Sequence, residues 1–290
     1  MWAGVFLALL LGFLAGYQIA RWSESKRVEV VKTQPTPTEI PQQPFPIPHK
    51  RKKYRAVIAI IIDDIGYRMS DIKRFSSLPY PVTLSVIPFT PFDITSAKLA
   101  HQHHKPVMLH IPMEPNHTSE IIEKLEKKTK GMLFTYMDRR TIINKLSAEL
   151  KRVPYAVAAN NHMGSKFTSY ERGMKVVLQF LYQNGLFFVD SKTTGKSVSC
   201  KLGKKLGWPV LKRDVFLDNT KNERYILNQL QELAKIALKK GYAIAIGHPH
   251  ISTYRALVKG LPKLDKMGVK VVPIKRIFQG VLNGEFAGCI

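Results

Sequence analysis

Hydrophobic and polar positions divide this chain of 290 residues into three parts. Residues 1–22 are largely apolar, residues 23–53 are rich in proline and basic side chains, and residues 54–290 alternate between short apolar runs and amphipathic stretches. The apolar runs cover 56–62, 82–87, 106–111, 155–160, 186–190, 208–212, 242–247 and 269–274. Such runs, nearly continuous and separated by amphipathic stretches, predict parallel strands buried on both faces with helices between them.

The amphipathic stretches of residues 54–290 predict the intervening helices. The clearest are 138–152, 169–184 and 221–240. Asp138 and Ser169 are typical N-cap residues, and Gly185 and Gly241 are typical helix stops. Seven or eight strand–helix units fit an irregular or incomplete (β/α) barrel of parallel strands. A doubly wound open sheet is the alternative, although its dinucleotide-binding version is disfavoured because no G-x-G-x-x-G motif opens a helix.

The first part of the chain predicts a membrane anchor. Residues 2–20 hold no charge, and about 20 apolar residues are enough to span a bilayer. Trp2, Tyr17 and Trp22 lie near the ends of this run, where interfacial aromatic residues belong. Because no basic residue precedes the run and no clear cleavage site follows it, an anchor is favoured over a cleaved signal peptide. The proline-rich residues 23–53 then predict an extended, semi-rigid linker.

Charge and cysteine content add two constraints. The formal net charge of +24 favours an anionic neighbour such as an acidic glycan, a phospholipid surface or a nucleic acid. Outside the linker this charge is spread along the chain rather than gathered in a recognition helix, so specific nucleic-acid binding is not predicted. The two cysteines, Cys200 and Cys289, lack the spacing of a zinc or C-x-x-C motif, and the sequence leaves their pairing open.

Polar side chains stand at the ends of six of the apolar runs. They are Asp63 with Asp64, His110 with Glu114, Asn160 and Asn161 with His162, Asp190, Arg213 with Asp214, and His248 with His250. In a parallel barrel the carboxyl ends of the strands converge on one mouth, so these side chains are expected to gather there. Because residues able to act as acids, bases or metal ligands stand at six strand ends, the sequence predicts a functional site at this mouth.

Adjacent carboxylates at Asp63 and Asp64 are costly unless a proton or a cation lies beside them. Asp64, His110 and His162 would supply two nitrogens and one oxygen to a divalent metal, and zinc is the first candidate for that donor set. A water in the remaining position would have its pKa lowered towards 7. The pattern therefore predicts a metal centre with an open position for water.

The remaining polar residues have predicted roles around that centre. Asp63 is expected to accept a proton from the water as a general base. His248 is expected to protonate a leaving group, with Asp190 or Asp214 orienting its ring. The residues expected to contact substrate are Glu114, Asn161, Arg213, Asp214 and His250.

Seven stretches of the chain resemble the divergent polysaccharide deacetylase family, part of the glycoside hydrolase/deacetylase barrel superfamily. In order along 55–275, they are "IIIDDIGY", "VTLSVIPF", "LHIPMEP", "NNHMGSKFT", "FFVDSKTT", "RDVFLDN" and "AIAIGHPH". The resemblance implies an irregular (β/α) barrel, a divalent metal near Asp64, His110 and His162, and a role outside the cytoplasm on acetylated or other envelope carbohydrate. A peptidoglycan-like glycan is the implied partner. The alternative is a barrel that binds such a glycan or the cell wall without turning it over.

Two motifs depart from the pattern of typical polysaccharide deacetylases. Those enzymes carry two histidines four residues apart, whereas this chain has His110 and Glu114, so His162 is the candidate for the second histidine ligand. "RVPY" at 152–155 is similar to another deacetylase motif but precedes its strand rather than ending it.

The orientation of the predicted anchor is a separate question. Basic residues after the apolar run, beginning with Arg21, would by charge place the domain in the cytoplasm, but large translocated domains often escape that rule. Because the family resemblance implies an extracytoplasmic role, an external domain is favoured.

Overall fold

The structure, a computed structural model, describes residues 54–289. The predicted anchor at 1–22 and the predicted linker at 23–53 lie outside the described residues. Within 54–289, every helix is too short or too polar to cross a bilayer. The described residues correspond to the predicted barrel domain.

Parallel strands and helices alternate through the described residues. The strands are β1 (Ala56–Ile65), β2 (Thr83–Val86), β3 (Val107–Met113), β4 (Ala156–Met163), β5 (Phe187–Asp190), β6 (Leu211–Lys212), β7 (Val215–Phe216), β8 (Tyr242–Gly247) and β9 (Val269–Val271). The helices are α1 (Met69–Ser76), α2 (Asp93–Gln102), α3 (Ser119–Lys128), α4 (Arg139–Arg152), α5 (Glu171–Gln183), α6 (Ser199–Leu206), α7 (Glu223–Lys240), α8 (Ile251–Lys266) and α9 (Ile274–Leu282). A short 3-10 turn, Phe167–Ser169, precedes α5.

The sheet curls so that its two ends are consecutive segments of the chain. Its strand order is β6-β5-β4-β3-β2-β1-β8-β7, with β9 beside the start of β1, and all these pairs are parallel. β6 pairs with β5, whereas β7, two residues later, pairs with β8. This arrangement is consistent with the predicted (β/α) barrel and differs from a doubly wound sheet, in which the strand order reverses at a switch point.

Alternating side chains separate the inside of the curled sheet from its outer layer. Along β1, Ala59 and Ile61 join an inner apolar cluster, whereas Ile60 and Ile62 join the larger cluster under the helices. The amphipathic α9 contributes to the inner cluster, and its Phe278 stacks on the first residue of β5. Because side chains of a strand alternate between faces, the position after Ile61 on the inner face is Asp63. The inside is therefore apolar near α9 and polar at the carboxyl ends of the strands.

Each predicted apolar run contains a strand, but several ends differ: β1 and β4 continue three residues beyond the predicted runs, β6 begins three residues later, and β9 ends three residues earlier. β7 was not predicted, since a strand of two residues leaves no readable pattern. The predicted N-cap Ser169 lies in the 3-10 turn, and Tyr170 occupies the N-cap of α5 instead. Asp138 is confirmed as the N-cap of α4, because its side chain accepts a hydrogen bond from Thr141 N. Cys200 and Cys289 form a disulfide.

Glu149 of α4 is a buried acid that predicts a pH-dependent stability. It is fully buried, and both of its carboxylate oxygens lack a hydrogen-bond partner among the described residues. Burial raises its pKa well above the usual value, so the fold favours its neutral form. The stability it contributes is present below the pKa of the unfolded chain and is lost as the pH rises through the folded-state pKa.

Glu149→Gln stays neutral at every pH and keeps the shape of the side chain. We expect its free energy of unfolding to equal that of the native chain near pH 4.5 and to exceed it at pH 8. Between the unfolded-state and folded-state pKa values, the difference should grow by up to about 1.4 kcal/mol per pH unit. Denaturant titrations at both pH values measure the difference, with the exposed Glu120→Gln as control. A difference that is the same at both pH values would contradict the prediction.

Candidate active site

A bulge at the end of β1 brings two neighbouring carboxylates into one space. On a regular strand, Asp63 and Asp64 would face opposite sides of the sheet. Asp64 instead has a left-handed φ of 57°, and the pairing of β1 with β2 shifts register between Ile62 and Ile65. As a result, His110 Nε2 lies 3.6 Å from Asp63 Oδ2 and 3.3 Å from Asp64 Oδ1.

Three predicted metal ligands converge at this bulge. His162, near the end of β4, has its Nδ1 3.0 Å from Asp64 Oδ1. One ligand atom from each of Asp64, His110 and His162 lies within 4.8 Å of the other two. The structure therefore brings together the three residues that the sequence predicted as a metal-binding set.

The state of these atoms fits a divalent metal. Asp64 Oδ1 is buried and has no geometrically sound hydrogen bond among the described residues, although it faces two imidazole rings. Burial by itself would raise the pKa of Asp64, but its contacts with His110 and His162 outweigh burial and lower the pKa far below the usual range. An ionised oxygen beside two ring nitrogens is a donor set suited to a first-row metal.

Asn160 orients this set; the sequence placed it at a strand end but gave it no role in the site. Its Oδ1 accepts hydrogen bonds from Ser85 Oγ at 2.7 Å and from His110 Nδ1 at 2.7 Å, and its Nδ2 donates to Asp63 Oδ1 at 2.8 Å. Because an amide oxygen only accepts, His110 carries its proton on Nδ1, and Nε2 is left to face the carboxylates. The alternation of side chains along β4 could have indicated its position, because Asn160 follows the inward-facing Ala158 by two residues and therefore faces the same side.

Replacing Asn160 with Ala is expected to weaken metal binding by 10- to 100-fold, the range typical of residues that orient a ligand. The reason is that His110 loses the acceptor that fixes its tautomer and ring orientation. Calorimetric titration with Zn²⁺ measures the affinity, and the exposed Asn228→Ala serves as the control. An affinity equal to that of the native chain would contradict the assigned role.

His248 and Asp218 form a second polar pair beside the bulge. His248 Nδ1 lies 3.0 Å from Asp218 Oδ1, and Asp218 Oδ2 accepts from His248 N and Thr253 Oγ1. His248 Nε2 is 3.9 Å from Asp64 Oδ2. Burial alone would lower the pKa of His248, but Asp218, Asp64 and Asp63 outweigh it and raise the pKa to about 9. His248 therefore carries a proton at neutral pH and directs Nε2 toward the bulge.

Asp218 replaces the two carboxylates that the sequence predicted as partners of His248. Asp190 lies on the outer face of β5, where it accepts from Ser199 Oγ and Lys192 N. Asp214 accepts from Lys240 Nζ and from Ile244 N, nearer the start of β8. The assignment of Asp190 or Asp214 as the partner is wrong because both side chains are engaged elsewhere. Asp218 was missed because the two-residue β7 that precedes it was not recognised.

Glu114 and Asn161 were predicted to contact substrate. In the structure their side chains instead form hydrogen bonds with residues of neighbouring segments. Glu114 is buried, and its carboxylate accepts from Lys166 Nζ and from the backbone and hydroxyl of Thr135. Asn161 is also buried; its Oδ1 accepts from Ser191 N, and its Nδ2 donates to Met163 O. These polar atoms are paired within the fold, so neither residue is placed to bind substrate.

The other residues predicted to contact substrate, Arg213, Asp214 and His250, lie at different distances from the bulge and the cleft. Asp214 lies away from the bulge, as described above. Arg213 donates from Nε to Ser191 O and stacks its guanidinium 4.9 Å from the centre of the Phe216 ring, beside the cleft. His250 is the N-cap of α8 and lines the cleft itself. Only His250 of this set therefore stands directly on the cleft wall.

An open cleft of about 520 Å³ leads from the bulge to solvent. Its walls include Asp64, Asp218 and His248 together with the rings of Tyr67 and Phe216. The Tyr67 side chain is 52% exposed. A carboxylate and an imidazolium beside two aromatic rings suit a polar ligand with apolar faces, such as a sugar.

The chain matches one protein-family model and is similar in sequence to two uncharacterized bacterial proteins. The model of the family described as "Divergent polysaccharide deacetylase" matches residues 60–278. The chain is 38% identical over 200 residues to YibQ of Escherichia coli K12, an uncharacterized protein, and the match covers 69% of this chain and 60% of YibQ. It is 31% identical over 209 residues to an uncharacterized protein of Haemophilus influenzae Rd, covering 72% of each. The chain thus spans less than two thirds of YibQ.

One solved structure shows the same fold. It is the crystal structure of an uncharacterized protein of Agrobacterium tumefaciens C58, with a TM-score of 0.73 and 21% sequence identity. The match covers 79% of this chain and 92% of that protein. At this identity the likeness establishes the architecture alone.

Proposed function

Because the chain belongs to the divergent polysaccharide deacetylase family, we propose that it is a metal-dependent hydrolase that removes acetyl groups from envelope carbohydrate. One observation carries the proposal: Asp64, His110 and His162 meet at the β1 bulge, with Asp63 on one side and the His248–Asp218 pair on the other. That arrangement brings a candidate metal-ligand set, base and acid together at the bulge, where Asp64 and His248 also line the cleft.

Asp64, His110 and His162 would hold the metal, with Zn²⁺ as the first choice for two nitrogens and one carboxylate oxygen. When bound there, a divalent metal supplies Lewis acidity that polarises an acyl carbonyl and lowers the pKa of a water. Asn160 keeps His110 Nε2 available for this purpose.

The protein's own groups perform the proton transfers. Asp63 is buried, and burial raises its pKa, which makes it a stronger base than a solvated carboxylate. It takes a proton from the water whose oxygen attacks the acetyl carbonyl carbon. The bond between that carbon and the sugar nitrogen or oxygen then breaks, and His248 Nε2 gives a proton to the leaving atom. The products are acetate and a free amine or hydroxyl on the sugar.

Acetate release is the direct test of this function. The purified chain, loaded with Zn²⁺, is incubated with acetylated chitooligosaccharides, peptidoglycan fragments and O-acetylated glycans, and acetate is quantified by an enzyme-coupled assay. Metal content is measured on the same sample. Chelator-sensitive acetate release from one of these glycans supports the proposal; a chain that binds no divalent metal at micromolar concentration contradicts it.

A non-catalytic, glycan-binding barrel is the second candidate, and one observation favours it. Glu114 stands where typical deacetylases carry a second histidine, and its carboxylate is engaged by Lys166 and Thr135. The donor set therefore differs from the usual one. Binding of an oligosaccharide by the native chain and by Asp63→Asn, with acetate released by neither, would select this function. Reproducible turnover by the native chain would eliminate it.

We also propose that this domain lies on the outer side of the cytoplasmic membrane, with the predicted helix at 1–22 as its anchor. The Cys200–Cys289 disulfide supports this location, because such bonds persist in oxidising compartments. Alkylation of the protein in intact cells, followed by mass analysis, tests the location. Two free thiols in the native protein would contradict it.

A further inference from the structure

A second pocket adjoins the cleft and is lined by cations. It has a volume of about 590 Å³. It shares part of its wall with the cleft, namely Arg68, Asp71, Lys221, Pro249 and His250. Beyond that wall its lining adds Arg74 and Arg255. We name this space, bounded by Arg68, Arg74, Lys221 and Arg255, the basic pocket.

The two carboxylates of the basic pocket are already neutralised. Asp71 is buried and accepts from Arg68 Nε at 2.8 Å and from Arg74 Nη1 at 3.1 Å. Glu223 is paired with Lys259 Nζ at 2.6 Å. One carboxylate thus faces two guanidinium groups, and the other is matched by a lysine outside the pocket, so the pocket keeps an excess of positive charge.

Two of the cations remain available for a ligand. Among the described residues, Lys221 and Arg255 take part in no ion pair, and both are exposed at the pocket. The first turn of α8 also lines the pocket at Ile251 and Ser252, and its N-cap residue His250 offers no side-chain cap. The free amides of that turn add to the positive potential that the side chains set up.

On the basis of this lining we propose that the basic pocket binds an anionic substituent, a carboxylate or a phosphate, carried by a sugar next to the one held in the cleft. The inference rests on the proposed function and narrows its substrate class to acidic glycans. Tyr67 and Phe216 would contact the sugar in the cleft, and Lys221, on the wall common to both spaces, would guide the chain from one to the other. An arginine such as Arg255 suits either anion, since its planar fork matches both geometries.

Binding rather than turnover is the primary test, so that an inactive protein still gives an answer. Calorimetry compares three oligosaccharides of equal length with the native chain: a neutral chitooligosaccharide, a peptidoglycan-type oligosaccharide bearing lactyl carboxylates, and a phosphorylated chitooligosaccharide. We expect one acidic oligosaccharide to bind at least tenfold more tightly than the neutral one, and which of the two does so identifies the anion. Equal affinity for all three, or no binding of either acidic oligosaccharide, would overturn the inference.

The double variant Lys221→Gln/Arg255→Gln assigns the preference to the basic pocket. We expect its preference for the acidic over the neutral oligosaccharide to fall at least fivefold. The matched control Lys204→Gln/Lys205→Gln removes two exposed cations of α6 that line neither space, and should keep the native preference. An unchanged preference in the first variant would overturn the inference. Acidic-glycan binding without acetate release would instead retain the pocket and reject the hydrolase function.

Discussion

Asp64→Asn is expected to lower the affinity for Zn²⁺ by more than 100-fold. The substitution removes the anionic donor that lies 3.0 Å from His162 Nδ1 and 3.3 Å from His110 Nε2. The loss should exceed the 10- to 100-fold effect typical of a residue that only supports a ligand. Asparagine is the appropriate replacement because position 64 has a left-handed backbone, which asparagine tolerates and alanine does not. The fold is therefore kept while the charge is removed.

Thermal unfolding with and without metal measures this effect. At a free Zn²⁺ concentration 100 times the Kd of the native chain, binding stabilises the native chain by about 2.7 kcal/mol, and Asp64→Asn should lose most of this gain. Asp265→Asn, at an exposed carboxylate, should keep it. If Asp64→Asn retained the full metal-induced stabilisation, Asp64 would be a salt-bridge partner of the two histidines and not a ligand.

The convergence of Asp64, His110 and His162 and the barrel-like arrangement of the strands were predictable because they follow from simple periodicity. Strands that are apolar at successive positions and end in polar residues must present those residues at one mouth of a parallel barrel. Asp64, His110 and His162 met as predicted for this reason. The bulge that lets Asp63 and Asp64 share one space was not predictable, since it depends on the register between β1 and β2.

The residues that surround Asp64, His110 and His162 were harder to predict, because short strands and tertiary contacts determine their positions. Asp218 follows a strand of two residues, and its pairing with His248 joins β7 to the end of β8. Glu114 and Asp190 have the residue type and position expected of site residues. Their partners, Lys166 and Ser199, come from loops and helices that sequence periodicity does not locate.

Asp63→Asn is expected to lower turnover by 10²- to 10⁴-fold while leaving Zn²⁺ affinity within a few-fold of the native value. The range is that of a lost general base. The amide has the same shape as the carboxylate, and its oxygen can still accept from Asn160 Nδ2, which donates to Asp63 Oδ1 at 2.8 Å in the native chain. The change therefore removes the proton acceptor without removing Asp64, His110 or His162.

The comparison with Asp64→Asn separates the base from the ligand at two adjacent positions. Acetate release is measured on a glycan that the native chain turns over, and Zn²⁺ affinity is measured on the same preparations. A selective loss of turnover in Asp63→Asn, set against a loss of both properties in Asp64→Asn, is the expected pattern. If the two variants lost Zn²⁺ equally, Asp63 would also be a ligand, as its Oδ2 at 3.6 Å from His110 Nε2 would permit. The proton would then need another acceptor in the cleft.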